Sequence, residues 1–216
     1  FDLMIAATGW NEKRLKAVGR DVMVIHTHPN NHAGYYPDAK QISLKLIFDP
    51  KTGEILGGQG VGVDGVDKRI DVIATAIRGG ITAPELADLE LAYAPPFGSA
   101  KDPVNMLGYI AENMMSGLLK TAQWNQTQEY REAGYQLIDV RTPSEFNAGA
   151  IPGAINIPVD EIRQRVAEIK EEPILVNCQV GQRGHTATML LKELGFDATN
   201  LDGGYLTYSN SPAAIN

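Results

Sequence analysis

The stretch "EPILVNCQVGQRGHTATMLLKELG", Glu172 to Gly195, decides how the second half of this chain folds. Ile174 to Val176 is an apolar run of strand character bounded by Pro173 and Asn177. A six-residue turn follows, Cys178 to Arg183. Beyond it, Ala187, Leu190, Leu191 and Leu194 recur at the spacing of one helical face, so a helix is expected over His185 to Leu194. Strand, turn and helix in that order make a βα unit. In open α/β sheets ligands bind beyond the carboxyl ends of strands. Cys178, the single cysteine in 216 residues, is placed there.

Outward from this unit the same alternation continues. Gln136 to Val140, Ala154 to Ile157 and Ala198 to Leu201 read as strands, and Val159 to Ile169 reads as a helix. Strands alternating with helices predict a parallel sheet with helices covering it. Upstream, Thr121 to Gln128 is polar and without period, so residues 119–126 are expected to be a linker between residues 1–118 and residues 127–216.

The first half has a different grammar. Leu3 to Ala7, Val22 to His28, Ile42 to Phe48 and Glu54 to Val63 read as strands, with "DPKTGE" (Asp49 to Glu54) as a hairpin turn. Asp64 to Arg78 carries Val66, Ile70, Ile73, Ala74 and Ile77 at helical spacing and stops at Gly79-Gly80. A second helix is expected over Asp102 to Leu119, with Asp102 as N-cap and Pro103 in the first turn. Strands followed by segregated helices predict an α+β domain ahead of the α/β one.

Composition narrows the partners. Net charge is -7 and no stretch concentrates Lys and Arg, so neither nucleic acid nor an anionic membrane surface is an expected partner. No apolar run approaches the ~20 residues of a membrane span. One unpaired cysteine fits a reducing, cytoplasmic setting. The chain opens on "FDLMIAATGW", a strand already under way with no initiating Met, and a fragment of a longer protein is expected.

The turn itself suggests chemistry. Gly181 and Gly184 let the backbone curl, so that amides of Gln179, Val180, Gly181 and Gln182 can point inward as a nest. The helix that follows adds its positive end. Such a cradle favours an anion and makes Cys178 a candidate thiolate nucleophile. Arg183, with its permanent charge and planar donor fork, is expected to close the loop on an anionic sulfur.

The motifs "QLIDVRTPSEFNAGAIPGAINIPVDEI", "VNCQVGQRGHTA" and "LDGGYLTY" together resemble a rhodanese domain over roughly residues 127–216. The resemblance implies that Cys178 accepts a sulfane sulfur as a persulfide and that Asp139 and Arg141 form a structural pair beneath the loop. It gives Glu145 the place of the acidic residue in the following "SEF" motif. Ala150 stands where many rhodaneses have His. Related phosphatases place five residues between Cys and Arg; here there are four, Gln179 to Gln182, and Gly184 occupies the position where their Arg would lie.

Residues 1–118 hold no cysteine, no GxGxxG opening a βαβ unit and no P-loop, so a dinucleotide is not expected to bind this half by itself. "AATGWNEKRLK", "HTHPNNHAGYYPDAK", "DGVDKRIDVIATAIRGG" and "LAYAPPFGSAKDPVNMLGY" resemble the dimerisation domain of flavin- and pyridine-nucleotide-dependent disulfide reductases. The coenzyme A disulfide reductase and NADH-dependent persulfide reductase branch is the nearest in kind. That resemblance implies a homodimer through residues 1–118. It also implies FAD, NAD(P)H and coenzyme A in the full-length enzyme, and tyrosines, Tyr35 or Tyr36 and Tyr93, reaching toward the partner subunit's reactive sulfur. His26, His28 and His32, with Asp21 or Asp38, have a spacing that permits zinc, but hydrogen-bonded histidines are the preferred reading and no metal is expected. His185 is expected either to face the pocket or to cap its helix.

Overall fold

The computed structural model describes residues 2–214. Phe1, the first residue of the expected 1–118 domain, and Ile215 and Asn216, the last two of the expected 127–216 domain, lie outside the described residues. The chain divides into two compact units, Phe1–Ser116 and Gly117–Asn216.

In the first unit, β1 (Met4–Gly9), α1 (Glu12–Ala17), β2 (Met23–Thr27), β3 (Ser43–Phe48) and β4 (Ile55–Gly62) precede the longer α2 (Val66–Gly79) and α3 (Pro103–Met115). The strands form an antiparallel sheet in the order β1-β4-β3-β2. The Asp49 to Glu54 turn joins β3 to β4: the Asp49 carboxylate accepts from the amides of Lys51 and Thr52, and Gly53 takes a positive φ of 73°. Leu44, Leu46, Phe48, Val66, Ile70, Ile73 and Leu107 are all buried. On β4, every second residue from Gly58 to Gly62 is glycine, and Cβ atoms at Gly58 and Gly60 would lie within 3.0 Å of Ile73 and Val66 on α2. The absence of side chains there lets α2 settle onto the strand's backbone.

α3 begins as its sequence indicates, with a capping box between Asp102 and Asn105 and Pro103 in the first turn. It ends earlier than Leu119. Ser116 is its C-cap and Gly117 turns left-handed at φ 76°, a stop that apolar spacing alone does not reveal.

The second unit contains β5 (Thr121–Ala122), α4 (Thr127–Glu132), β6 (Gln136–Asp139), α5 (Pro143–Asn147), β7 (Ile155–Asn156), α6 (Ile162–Arg165), β8 (Ile174–Asn177), α7 (Gln182–Glu193), β9 (Ala198–Leu201) and α8 (Gly204–Ser209). All its strand pairings are parallel, in the order β5-β9-β8-β6-β7. Every residue of β6, β8 and β9 is buried, as expected of a parallel sheet covered on both faces. Ile138, Val176, Ala187 and Leu191 pack on one face; Leu137, Leu175, Leu201 and Tyr208 pack on the other.

The stretch expected to be a linker is part of this sheet. Thr121 and Ala122 pair with Asn200 and Leu201, and the Asp202 amide donates to the Ala122 carbonyl at 2.9 Å. A two-residue strand is too short to show alternation, and its polar neighbours Gln123 and Gln126 cap the turn that follows.

Candidate functional site around Cys178

β8 delivers Cys178 to the carboxyl edge of the sheet. The loop is shorter than the sequence suggests: α7 starts at Gln182, with Gly181 as its N-cap at φ 96°, so Gln182 and Arg183 belong to the first helical turn. Propensity does not mark that boundary, because Gln182-Arg183-Gly184 has no apolar member to start the periodic face.

Within the loop the Gly181 amide donates to the Cys178 sulfur at 3.2 Å. Three of the loop carbonyls are engaged elsewhere. Cys178 O accepts from the Tyr205 amide at 2.7 Å and Gln179 O from the Leu206 amide at 2.9 Å, both on α8. Gly181 O accepts from the His185 amide at 2.9 Å and from Asn200 Nδ2 at 3.2 Å. Because C=O and the following N–H point oppositely in a trans peptide, these bonds fix the amides of Gln179, Val180 and Gln182 facing away from α8 and Asn200. Gln179, Val180 and Gly181 are partly exposed, yet Cys178 is 0% exposed and packs with Val176, Ala187 and Leu191.

Two ion pairs flank the loop. Arg141 is buried and donates from Nε and Nη2 to both oxygens of Asp139, at 2.7 to 3.0 Å. Its remaining donors reach Gln179 Oε1 at 3.2 Å and Gly149 O at 2.7 Å, and its guanidinium lies 4.1 Å from the Tyr205 ring centroid. Arg141 thereby ties the turn before Ala150 to the thiol loop. Arg183 departs from expectation. Its Nη1 and Nη2 form a bidentate pair with Glu145 at 2.8 and 2.6 Å, so the fork expected to close on sulfur is committed to a carboxylate. Those bonds, foremost, push the Glu145 carboxyl down to about 2, and the same partner raises the Arg183 pKa.

His185 sits one turn into α7. Burial lowers its pKa, favouring the neutral ring, and Nδ1 is enclosed without a hydrogen-bond partner. Gly184 is also buried, and a Cβ there would collide with the Asn200 side chain. Asn200 belongs to no motif in the sequence, and the Gly203-Gly204-Tyr205 corner enters it only within "LDGGYLTY", with no chemistry attached. The paired glycines before a short helix were the available signal: both adopt positive φ, 65° and 61°, and bring α8's amides onto the loop.

In the first unit the Tyr35 and Tyr93 hydroxyls lie 2.8 Å apart on exposed side chains. That hydrogen bond, more than any other influence, raises the Tyr93 pKa. Tyr36 turns instead to His32, ring edge to ring face, with centroids 5.8 Å apart. The tyrosine loops are joined by the Ala33 amide donating to Gly98 O at 2.9 Å. Behind them, buried Arg69 donates to both oxygens of Asp102 and to Asn31 O. The histidines have other partners: Nδ1 of His28 meets Ser43 Oγ at 2.8 Å and Nδ1 of His32 meets Ala33 O at 3.1 Å. Among the described residues no three His, Cys, Asp or Glu side chains gather as a metal site, and no helix is long and apolar enough to cross a membrane.

Comparison with known proteins agrees with this division. Residues 1–103 match the pyridine nucleotide-disulphide oxidoreductase dimerisation domain, and residues 122–211 match the rhodanese-like domain. The coenzyme A disulfide reductase of Staphylococcus haemolyticus is 39% identical over 114 residues, 53% of this chain and 26% of that protein. Among solved structures, reduced Bacillus anthracis CoADR-RHD is 50% identical with a TM-score of 0.94, over 97% of this chain and 38% of that one. A NAD-dependent persulfide reductase from A. fulgidus is 38% identical with a TM-score of 0.85, over 94% of this chain and 37% of that one. The chain thus spans about a quarter of the length of the curated reductase and under two fifths of either solved one.

Proposed function

Because this chain is a pyridine nucleotide-disulphide oxidoreductase dimerisation domain followed by a rhodanese-like domain, we propose that its second unit transfers sulfane sulfur. Cys178 attacks the terminal sulfur of a persulfide, polysulfide or thiosulfate. The S–S bond breaks, the leaving group takes the electron pair, and the sulfur remains as a cysteine persulfide. An acceptor thiol then removes it. The observation that carries this reading is the Gly181 N–H donated to Sγ, within a loop three of whose carbonyls are tied to α8, His185 and Asn200. A loop of amides so fixed stabilises negative charge on sulfur without reorganising.

The first unit acts in this proposal as the dimer-forming half of a longer FAD- and NAD(P)H-dependent reductase of coenzyme A disulfide or of persulfides. Among the described residues its strands are antiparallel and offer no βαβ turn for a dinucleotide, so flavin and nicotinamide binding is assigned to the rest of such a protein. Tyr35 and Tyr93 are proposed to present their shared proton to the partner's thiol site, where a phenol donor stabilises a departing thiolate. Coenzyme A is the proposed acceptor.

Mass spectrometry after exposure to polysulfide tests the reading. The wild-type chain is expected to retain one extra sulfur atom on Cys178, and Cys178→Ser none. Turnover of thiosulfate to thiocyanate by the serine variant would overturn it. One observation favours a second reading, an assembly module with a silent pocket: Cys178 has no exposed surface. In that case the wild-type chain keeps no sulfur.

A further inference from the structure

Each guanidinium beside the thiol loop is matched by its own carboxylate: Arg141 by Asp139, both essentially buried, and Arg183 by Glu145. The loop from Cys178 to Gly181 contributes no Lys or Arg. His185, the next titratable group along α7, is held toward its neutral form by burial. The side-chain charges flanking the loop are therefore offset pair by pair before any donor arrives. A thiolate in such a place repels an incoming anion, and the repulsion grows with the anion's charge.

We propose that Glu145, by engaging both Nη atoms of Arg183, makes this site select monoanionic sulfane-sulfur donors, simple alkyl persulfides and thiosulfonates, over the thiosulfate dianion. The inference rests on the sulfur-transfer reading and names its substrate class. Glu145 is a positioning residue here; it acts through Arg183. The Glu145 carboxyl, at about 2, stays ionised at any pH near neutrality, so the selection is permanent. Both donors react by balanced steps. Ethanethiosulfonate, a monoanion, yields the cysteine persulfide anion and ethanesulfinate; thiosulfate yields the same persulfide anion and sulfite. Cyanide then takes the outer sulfur as thiocyanate and restores the thiolate.

The experiment compares kcat/KM for the two donors, with cyanide as acceptor, in the wild-type chain, Glu145→Gln and Glu145→Asp. The wild type is expected to favour ethanethiosulfonate by about tenfold or more, and Glu145→Gln to raise the thiosulfate value by about tenfold with little change for the monoanion. Glu145→Asp should keep the wild-type ratio. Ionic strength supplies a readout that a structural role would not move: added salt should speed wild-type thiosulfate turnover and slow that of Glu145→Gln. Should the glutamine variant not fold, the wild-type ratio and its salt dependence still decide. Equal use of both donors by the wild type, or a glutamine variant that loses both activities in proportion, overturns the inference alone. No transfer from either donor overturns the sulfur-transfer reading and this one with it.

Discussion

Gly204 presses against the backbone of Cys178. A Cβ on Gly204 would run into the Cys178 carbonyl oxygen and stand 2.9 Å from both the Gln179 carbonyl carbon and the Gly181 nitrogen. Its φ of 61° is itself unfavourable for a side chain. Gly204→Ala is therefore expected to destabilise the second unit by about 1 to 3 kcal/mol in urea unfolding and to abolish sulfur retention by Cys178. Unfolding within about 0.5 kcal/mol of wild type would contradict the close approach.

The buried pair in the first unit has a different signature. Arg69 and Asp102 side chains are 2% and 4% exposed, and removing one partner of such a pair costs about 3 to 5 kcal/mol. Arg69→Met should fall in that range, with Lys68, whose Nζ is 4.0 Å from Asp102, offering weak compensation. Adding Asp102→Asn should recover part of the loss, since no unpaired charge then remains. Hydrogen exchange at the Ala33 amide, which bridges the tyrosine loops, should quicken in Arg69→Met.

Glu145 sets a pH dependence. Its folded pKa is depressed, to about 2 from an ordinary 4.5, so its stabilisation is complete above the ordinary value and is lost as pH falls through the depressed one. The stability gap between wild type and Glu145→Gln should hold level from about pH 8 to pH 5 and close below that. Both side chains are about one third exposed, which limits the gap to about 1 kcal/mol or less. A gap that widens on acidification would contradict the ion pair's role.

Tyr93 should ionise late. The Tyr35 hydroxyl, 2.8 Å away, raises its pKa above the usual 10. In Tyr35→Phe the ultraviolet phenolate absorbance of Tyr93 should appear at lower pH than in wild type. An unchanged titration would show that the two phenols are not paired in solution.

Much of this architecture is legible in the chain itself, because burial leaves a period. The Ile174 to Val176 run and the Ala187-Leu190-Leu191-Leu194 face announce β8 and α7, and the Asp102-Pro103 start of α3 is plain. Where the sequence reading departs from the structure, the deciding interaction is long-range or shorter than a period. β5 spans two residues and is defined by its partner β9. Arg183 stands two places from Gly181 but bonds to Glu145, 38 residues earlier, and sequence spacing cannot express that choice. Helix α3 is cut short by one left-handed glycine. The pairing of Tyr35 with Tyr93 rather than Tyr36 depends on which loop the Ala33–Gly98 bond draws in.

The two-residue strand β5 has a practical consequence for anyone dissecting the molecule. A truncation beginning at Thr127 keeps the thiol loop and every large helix of the second unit, yet strips β9 of its outer neighbour β5 and leaves the Asn200 and Asp202 amides without the Lys120 and Ala122 carbonyls. A bare ladder of that kind invites a second molecule to add itself as the missing strand, so such a fragment is prone to aggregate. Cutting before Gly117 instead carries the protecting segment along.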